Sequence, residues 1–384
     1  MNGTKRPVAG REEGRMMSGS ELHGRVWLLT EDYPPKLGGL SRWASNTARA
    51  MSSSGIDVTV FAKRARSADG MGRPLIVSVE GRDFPRFGRF HFARAIRSEA
   101  ARSGLPDLVI HSTWHIAGVD TGPVPSVTCV HGKEAFERPG FFASLQRKRI
   151  LERSTAVAAA SSFTAGRVRE IAPGARLVVG INGVDTTLFT PEGPELPRRF
   201  GLELVSAGRL VGRKRFDLVI AVLQRLLDLG MDAGLRIAGT GPLEPDLRGE
   251  AAGLGDRVSF EGEVTDGRLA SLYRSADLFL SPCRSDQASG DVEGFGLTFI
   301  EASACGTAVA GLAEGGVTDA VEHGVSGILS SPGMFVDDVA GLCANRSLLE
   351  GMGAAGRRRA VESFEVGAVV RRLLDSVPGP WNRH

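Results

Sequence analysis

The sequence predicts an α/β protein built from two doubly wound parallel-sheet domains with a cleft between them. The chain has 384 residues, and a single hydrophobic core rarely grows beyond about 250–300 residues. A strand–loop–helix–strand unit opens the first half of the chain, and such units build parallel sheets. A second series of strands and helices begins at residue 202, after a segment that contains three prolines.

The N-terminal domain is predicted over residues 25–181. Its first strand is the apolar run Val26–Thr30, and two prolines and two glycines make 31–39 a loop. Helical spacing of apolar residues follows over Ser41–Ser53, and Ile56–Ala62 is the next strand. Three further apolar runs continue the strand series, namely Leu108–Ile110, Ser126–Val130 and Ala156–Ala159.

Residues 182–200 are predicted to link the domains, because they combine three prolines with little periodicity. The second domain is predicted over 201–364, with Leu202–Ala207 as its first strand. Residues 365–384 are predicted to form a final helix that packs back toward the N-terminal domain. The other predicted elements are the helices Asp217–Leu229, Asp266–Arg274 and Phe295–Ala304 and the strands Gly234–Ala238, Val258–Phe260, Leu278–Leu280 and Ala308–Gly311.

Composition and charge limit the class of protein. Hydrophobic residues make up 42% and charged residues 24% of the chain, which excludes global disorder and a membrane bundle. The net charge of +3 combines +11 over residues 1–180 with −8 over residues 181–384. This asymmetry points to an anionic partner for the first half, but a general use of arginine in place of lysine leaves charge alone undecided.

Cysteine spacing and the N-terminus indicate the compartment. Cys129, Cys283, Cys305 and Cys343 are far apart and lack zinc-ligand spacing, so we interpret them as buried residues of a reducing compartment. Residues 1–24 lack the apolar core of a signal peptide and are predicted to be a disordered leader. We therefore expect a cytoplasmic protein without a metal site or a nucleic-acid partner.

Ligands of paired α/β domains bind beyond the carboxyl ends of the strands, commonly in the cleft. Gly38 and Gly39 follow the first strand and permit backbone amides to approach an anion, although a plain turn needs the same residues. His131 directly follows another strand, where it has room to contact a ligand. A lone histidine is more commonly structural, so neither signal is sufficient alone.

Two loops of the second domain carry stronger signals. Residues 208–215 place four cations, Arg209 and Lys214 among them, after a strand, which suits a phosphate ligand better than a solvated turn. Glu293 and Glu301 flank a glycine-rich helix start, with Glu293 on the loop and Glu301 one to two turns into the helix. Apolar neighbours surround Glu301, so its carboxylate needs a partner.

In this order, the segments resemble the retaining nucleotide-sugar glycosyltransferases of family four, which have the GT-B fold of two Rossmann-like domains. The resemblance covers about residues 25–375 and rests on YPPKLGG, TCVHGKE, NGVDTTLFTP, SAGRLVGRKRFD, IAGTGP, FEGEV, EGFGLTFIE, ASACGTAVAG and EHGVSGIL. The DVEG and HGKE forms are similar to the branch with inositol-lipid mannosyltransferases and natural-product glycosyltransferases. The link between Pro282 and Glu293 is longer than in many members.

The resemblance implies a role for each candidate residue. Arg209 and Lys214 would bind the donor diphosphate and stabilise its charge as it leaves. Glu293 would hold hydroxyls of the transferred sugar, Glu301 those of the ribose, and His131 would lie by the reacting face of the sugar. The remaining donor contacts would come from Gly38, Gly39, Val264, Phe295, Gly296 and Leu297.

The resemblance further implies front-face transfer with retention, in which the leaving phosphate helps to take the acceptor's proton. No cofactor is expected, because an Asp-x-Asp motif is lacking and the cations of the basic loop would replace a metal. The donor would be a GDP- or UDP-linked sugar, and the acceptor a polar small molecule, a natural product or a lipid-linked group.

Two alternatives from other classes remain. One is a non-catalytic protein that binds nucleotide sugars. The other is a nucleotide-dependent oxidoreductase, although the segment GTGPLE at 239–244 has only the first two glycines of a dinucleotide fingerprint.

A basic segment lies on the acceptor side, and its residues are Arg82, Arg86, Arg89, Arg94, Arg97 and Arg102. We expect it to attract an anionic acceptor or the anionic inner face of a membrane. A solvated helix face explains the segment equally well.

Overall fold

The computed structural model describes residues 22–36, 38–63, 65, 74–79, 85–119 and 121–382, with the backbone alone over 85–89. Residues 1–21 of the predicted leader, Arg82, and the side chains of Arg86 and Arg89 therefore lie outside the described residues. Leu22, near the end of that leader, is buried and donates its N–H to Ser54 O at 2.8 Å.

The first sheet is parallel throughout its described strands, with the order β3-β2-β1-β4-β5-β6-β7. The strands are β1 (Arg25–Thr30), β2 (Asp57–Lys63), β3 (Leu75–Val79), β4 (Leu108–His111), β5 (Ser126–Val130), β6 (Ala156–Ala159) and β7 (Leu177–Val179). The helices are α1 (Gly39–Ser53), α2 (Pro85–Ser103), α3 (Lys133–Phe136), α4 (Phe141–Arg153) and α5 (Ser162–Ile171).

The second sheet is also parallel and has the order β10-β9-β8-β11-β12-β13. Its strands are β8 (Leu202–Ala207), β9 (Ala233–Ala238), β10 (Val258–Gly262), β11 (Leu278–Ser281), β12 (Ala308–Leu312) and β13 (Gly327–Ser330). The helices are α6 (Phe216–Asp228), α7 (Glu244–Ala251), α8 (Asp266–Arg274), α9 (Leu297–Ala304), α10 (Val317–Ala320), α11 (Phe335–Cys343), α12 (Arg346–Phe364) and α13 (Val366–Asp375). The predicted fold class, two doubly wound parallel-sheet domains, is confirmed.

Strand order reverses at one point in each sheet, between β1 and β4 and between β8 and β11. Loops that follow the strands diverge at such a point and leave a crevice at the carboxyl edge. Helix α9 begins at Leu297, two residues later than predicted, because Gly296 has a φ of 94° and ends the preceding loop.

The predicted linker region 182–200 contains no regular helix or strand in the structure. Val184, within it, forms an isolated bridge with Glu365. From there, α13 packs against α1 of the first domain, and Val370 and Leu373 share a core with Trp43. The C-terminal helix therefore lies on the N-terminal domain and holds the two domains side by side.

Candidate active site

The carboxyl ends of the two sheets meet where the loop after β5 contacts the loop before α9. A Cβ at Gly294 would lie 1.6 Å from His131 O, so only glycine permits this approach. Ser161, at the N-cap of α5, donates its Oγ–H to Gly294 O at 2.7 Å. The residue before this contact is Glu293, which is thereby placed at the boundary between the domains.

Glu293 forms the centre of a cation–carboxylate cluster. Its Oε2 accepts hydrogen bonds from Lys214 Nζ and Arg213 Nη1, both at 2.7 Å. Burial pushes the pKa of Glu293 upward, but Lys214 and Arg213 outweigh burial and hold it at about 2. Burial also opposes the charge of Lys214, yet the neighbouring Cys283 and Glu293 raise the pKa of its ammonium. The cluster is therefore fully ionised at neutral pH.

The basic loop that carries Lys214 is held by backbone packing from the next strand. A Cβ at Gly239 would lie 2.0 Å from Gly208 O, and one at Gly241 would lie 2.3 Å from Leu210 O. Both glycines thus allow the loop after β9 to press on the loop after β8. This close packing explains the GTGP segment without a dinucleotide ligand.

The second carboxylate of the pair, Glu301, lies one turn into α9 and is 3% exposed. Arg42, on α1 of the other domain, donates from Nη1 to Glu301 Oε1 at 2.7 Å and from Nη2 to Asp266 Oδ1 at 2.7 Å. Glu301 raises the pKa of Arg42 further above its usual range, although burial opposes this. Glu301 Oε2 is buried and has no hydrogen-bond partner among the described residues.

His131 lies at the same boundary with its imidazole against Trp43, at 4.6 Å between ring centroids. Burial lowers the pKa of His131 to about 4, although a hydrogen bond to the Ser112 backbone opposes the shift. The imidazole is therefore neutral at pH 7. Its Nε2 is buried and unpartnered within the described part of the chain, so it can hydrogen-bond a ligand hydroxyl.

The other predicted residues line the same edge less closely. Arg209 is exposed and makes no ion pair with any residue that the structure describes. Gly38 and Gly39 lie at the start of α1, where a Cβ at Gly39 would be 4.0 Å from Leu297 Cδ1. Val264 is half-buried in the loop after β10.

The predicted residues at the start of α9 differ in how they could contact a ligand. Leu297 is the first residue of α9 and Gly296 is its N-cap, so the first backbone amides of this helix have no side-chain cap. Phe295 is 4% exposed, and its ring packs on Phe364 at 5.5 Å between centroids. The side chain of Phe295 is therefore structural, and only its backbone is suited to a ligand.

Sequence reasoning did not single out Arg213, Arg42 or Asp266. Arg213 belongs to the recognised basic loop, so the cluster of four cations was its signal. Arg42 and Asp266 lie 224 positions apart and on different domains, so no local pattern in the sequence connects them. Within the described residues, no group of three or more His, Cys, Asp or Glu side chains could hold a metal ion.

No helix that the structure describes is both long and apolar enough to cross a membrane.

Two family models match this chain. The model for "Glycosyl transferases group 1" matches residues 201–359, and the model for "Glycosyltransferase Family 4" matches residues 37–188. The chain is 29% identical to a GDP-mannose-dependent α-(1-6)-phosphatidylinositol monomannoside mannosyltransferase of Mycobacterium tuberculosis, with 92% of this chain and 98% of that protein covered. It is 30% identical to a D-inositol 3-phosphate glycosyltransferase of Acidothermus cellulolyticus, with 76% and 74% covered.

A solved structure shares the fold. The chain superposes on the Anabaena protein HepE, crystallised with UDP and glucose, with a TM-score of 0.70 and 18% sequence identity. The superposition covers 92% of this chain and 99% of HepE. The two family models match one domain each, and the superposition and the 30% identical relative span both domains. The likeness therefore extends over both domains. The chain is a glycosyltransferase that belongs to family 4 and has the two-domain GT-B fold.

Proposed function

We propose that this glycosyltransferase moves a sugar from a nucleoside-diphosphate donor to an inositol-type or lipid-linked acceptor, with retention of configuration and without a metal ion. The observation that carries the proposal is the cluster in which Glu293 is shared by Lys214 and Arg213 at the boundary of the two domains. Cations that bind phosphate thereby lie directly beside a carboxylate that accepts sugar hydroxyls.

In this proposal the donor diphosphate binds against Lys214 and Arg209. Arg209 is exposed and makes no ion pair with a described residue, so its guanidinium is available for a phosphate. As the bond to the sugar breaks, negative charge grows on the diphosphate, and preorganised cations stabilise it. Glu293 holds sugar hydroxyls, while the neutral His131 hydrogen-bonds another hydroxyl through Nε2.

Retention is supported by the weakness of Glu293 and His131 as bases. Glu293 has a pKa of about 2 and is engaged by two cations, and His131 has a pKa of about 4. Neither group is a strong base toward a hydroxyl proton. We therefore propose front-face transfer, in which an oxygen of the leaving diphosphate takes the proton of the acceptor.

The names of two relatives suggest which substrates to test first. The Mycobacterium tuberculosis relative is named for GDP-mannose and a phosphatidylinositol mannoside, and the Acidothermus relative for inositol 3-phosphate. We propose GDP-mannose as the first donor to test and an inositol-containing acceptor. The UDP seen in HepE makes UDP-sugars the second choice.

The acceptor side is proposed to work at the cytoplasmic face of an anionic membrane. Arg94, Arg97 and Arg102 are exposed on α2, and Phe141 and Phe142 are 72% and 84% exposed at the start of α4. Exposed aromatic rings and exposed basic side chains each suit a lipid interface. Sedimentation with anionic vesicles at low salt tests this, and equal recovery with neutral vesicles would count against it.

Turnover tests the chemistry. The wild-type enzyme is incubated with GDP-mannose or UDP-glucose and with inositol phosphate or phosphatidylinositol acceptors, with and without EDTA. We expect transfer that survives EDTA and falls at least about 100-fold in Lys214→Met and Glu293→Gln, as for loss of a charged transition-state contact. Lys148→Met, at an exposed lysine of α4, is the matched control. Unchanged turnover in Lys214→Met would refute the proposed donor site.

A further inference from the structure

We propose that Arg42 is a positioning residue for the donor. From the N-terminal domain, Arg42 orients the carboxylate of Glu301 in the other domain, and this carboxylate binds the ribose of the donor. The inference rests on the proposed donor site and adds a residue and a mode of assembly to it. Its basis is the bridge from Arg42 to Glu301 and Asp266, which crosses the boundary between the domains.

The geometry fixes the orientation of Glu301. Arg42 Nη1 binds Oε1 of Glu301 at 2.7 Å, which leaves Oε2 buried and without a partner among the described residues. A buried carboxylate oxygen that accepts no hydrogen bond is costly, so the site favours a ligand donor at that atom. A ribose hydroxyl is a donor of the right kind.

Asp266 keeps Arg42 in place. It lies in the first turn of α8 and accepts from Nη2 at 2.7 Å, so the planar guanidinium is held at both ends. Asp266 is 42% exposed whereas Glu301 is 3% exposed. The exposed partner can be solvated when the bridge breaks, but Glu301 cannot, and so Glu301 depends on Arg42.

The bridge therefore couples the closed arrangement of the domains to nucleoside binding. If the N-terminal domain moves away, Arg42 leaves with α1 and Glu301 loses its charge partner. A ligand that uses Oε2 would then bind a poorly oriented carboxylate. The affinity for nucleosides should therefore depend on Arg42 through the ribose, whereas the affinity for the diphosphate should depend on the basic loop around Lys214.

The test compares GDP with 2′,3′-dideoxy-GDP by calorimetry, because the ratio of their dissociation constants isolates the ribose hydroxyls. A hydrogen bond to a charged group corresponds to roughly a 10-fold to 100-fold preference for GDP in the wild type. In Arg42→Met we expect that ratio to collapse to about 1–2 and pyrophosphate affinity to stay within about twofold. Arg42→Lys should recover part of the ratio, and Arg49→Met on the same helix should match the wild type.

The outcomes separate this inference from the proposed function. If the wild type binds neither GDP nor UDP nor pyrophosphate, the proposed donor site fails. If the wild type prefers GDP over the dideoxy analogue and Arg42→Met keeps that preference, the role of Arg42 is refuted while the donor site stands. An equal loss of GDP and pyrophosphate affinity would also refute it, because it would indicate general disruption. Should Arg42→Met fail to fold, Asp266→Asn gives the same comparison, with a smaller expected loss of the ratio.

Discussion

Glu134 offers a quantitative test of how the loop after β5 is held. This carboxylate is 8% exposed and accepts the backbone N–H of His131. Burial raises its pKa from 4.5 to about 7, against the backbone hydrogen bond from His131, which lowers it. The folded protein thus binds a proton more tightly than the unfolded chain, and folding stability must fall as pH rises from 4.5 to 7.

The expected size follows from the shift. At about 1.4 kcal/mol for each pKa unit, the folded state loses about 3 kcal/mol between pH 4.5 and pH 7 through this one group. Glu134→Gln removes the titration and keeps an amide oxygen that can accept from His131. The variant should therefore match the wild type near pH 5 and be up to about 3 kcal/mol more stable at pH 8.

The assay is urea unfolding at pH 5, 6, 7 and 8, followed by tryptophan fluorescence, since Trp27, Trp43 and Trp114 lie in the N-terminal domain. Glu152→Gln, at an exposed acid of α4, is the matched control and should show no such trend. A stability difference between Glu134→Gln and wild type that stays constant from pH 5 to 8 would show that the pKa of Glu134 is not raised on folding.

Three further predictions test the domain boundary and the charged site. Gly294→Ala should lower kcat/KM at least about 10-fold with each domain still folded, because a Cβ would lie 1.6 Å from His131 O. The control Gly249→Ala should leave kcat/KM unchanged, because nothing lies within 4 Å of a Cβ there. The imidazole of His131 should titrate near pH 4 by NMR, and a midpoint near 6.5 would contradict its burial. Folding stability should fall as pH drops from 6.5 toward 4, because the unfolded chain protonates this imidazole over that range and the folded protein does not. Glu293 should stay ionised down to about pH 3 because of its contact with Lys214. If calorimetry of donor binding shows affinity lost with a single midpoint near pH 4.5, and this loss is absent in Glu293→Gln, that contact does not lower the pKa of Glu293.

Buried strands bounded by turn residues were predictable. β5, β6 and β8 have the predicted bounds, and so does α8 with its Thr265 N-cap. Strands β3, β7 and β13 were not predicted from the sequence. β3 has one buried residue, Val79, β7 has three residues that are no more than half-buried, and β13 begins with a glycine. Short strands with little apolar periodicity give a weak local signal.

Part of the site was predictable for a topological reason. Lys214 and Glu293 follow strands of one sheet, and the carboxyl ends of parallel strands meet at one edge, so the two could be expected near each other. The bridge between Arg42 and Glu301 could not be expected, because it depends on the relative placement of two domains and joins residues 259 positions apart. Helix-surface arginines are usually solvated, and only the tertiary structure shows that this one is half-buried and bound to two carboxylates of the other domain.

We propose that the enzyme transfers a sugar with retention at the cluster around Glu293, and NMR of the first product formed tests this stereochemistry. The anomeric proton of the product is read early in a reaction with an α-linked nucleotide sugar, before any secondary change. We predict an α-linked product from the wild type and none from Lys214→Met. A β-linked product would contradict retention, and an α-linked product formed equally by Lys214→Met would contradict the role of the cluster.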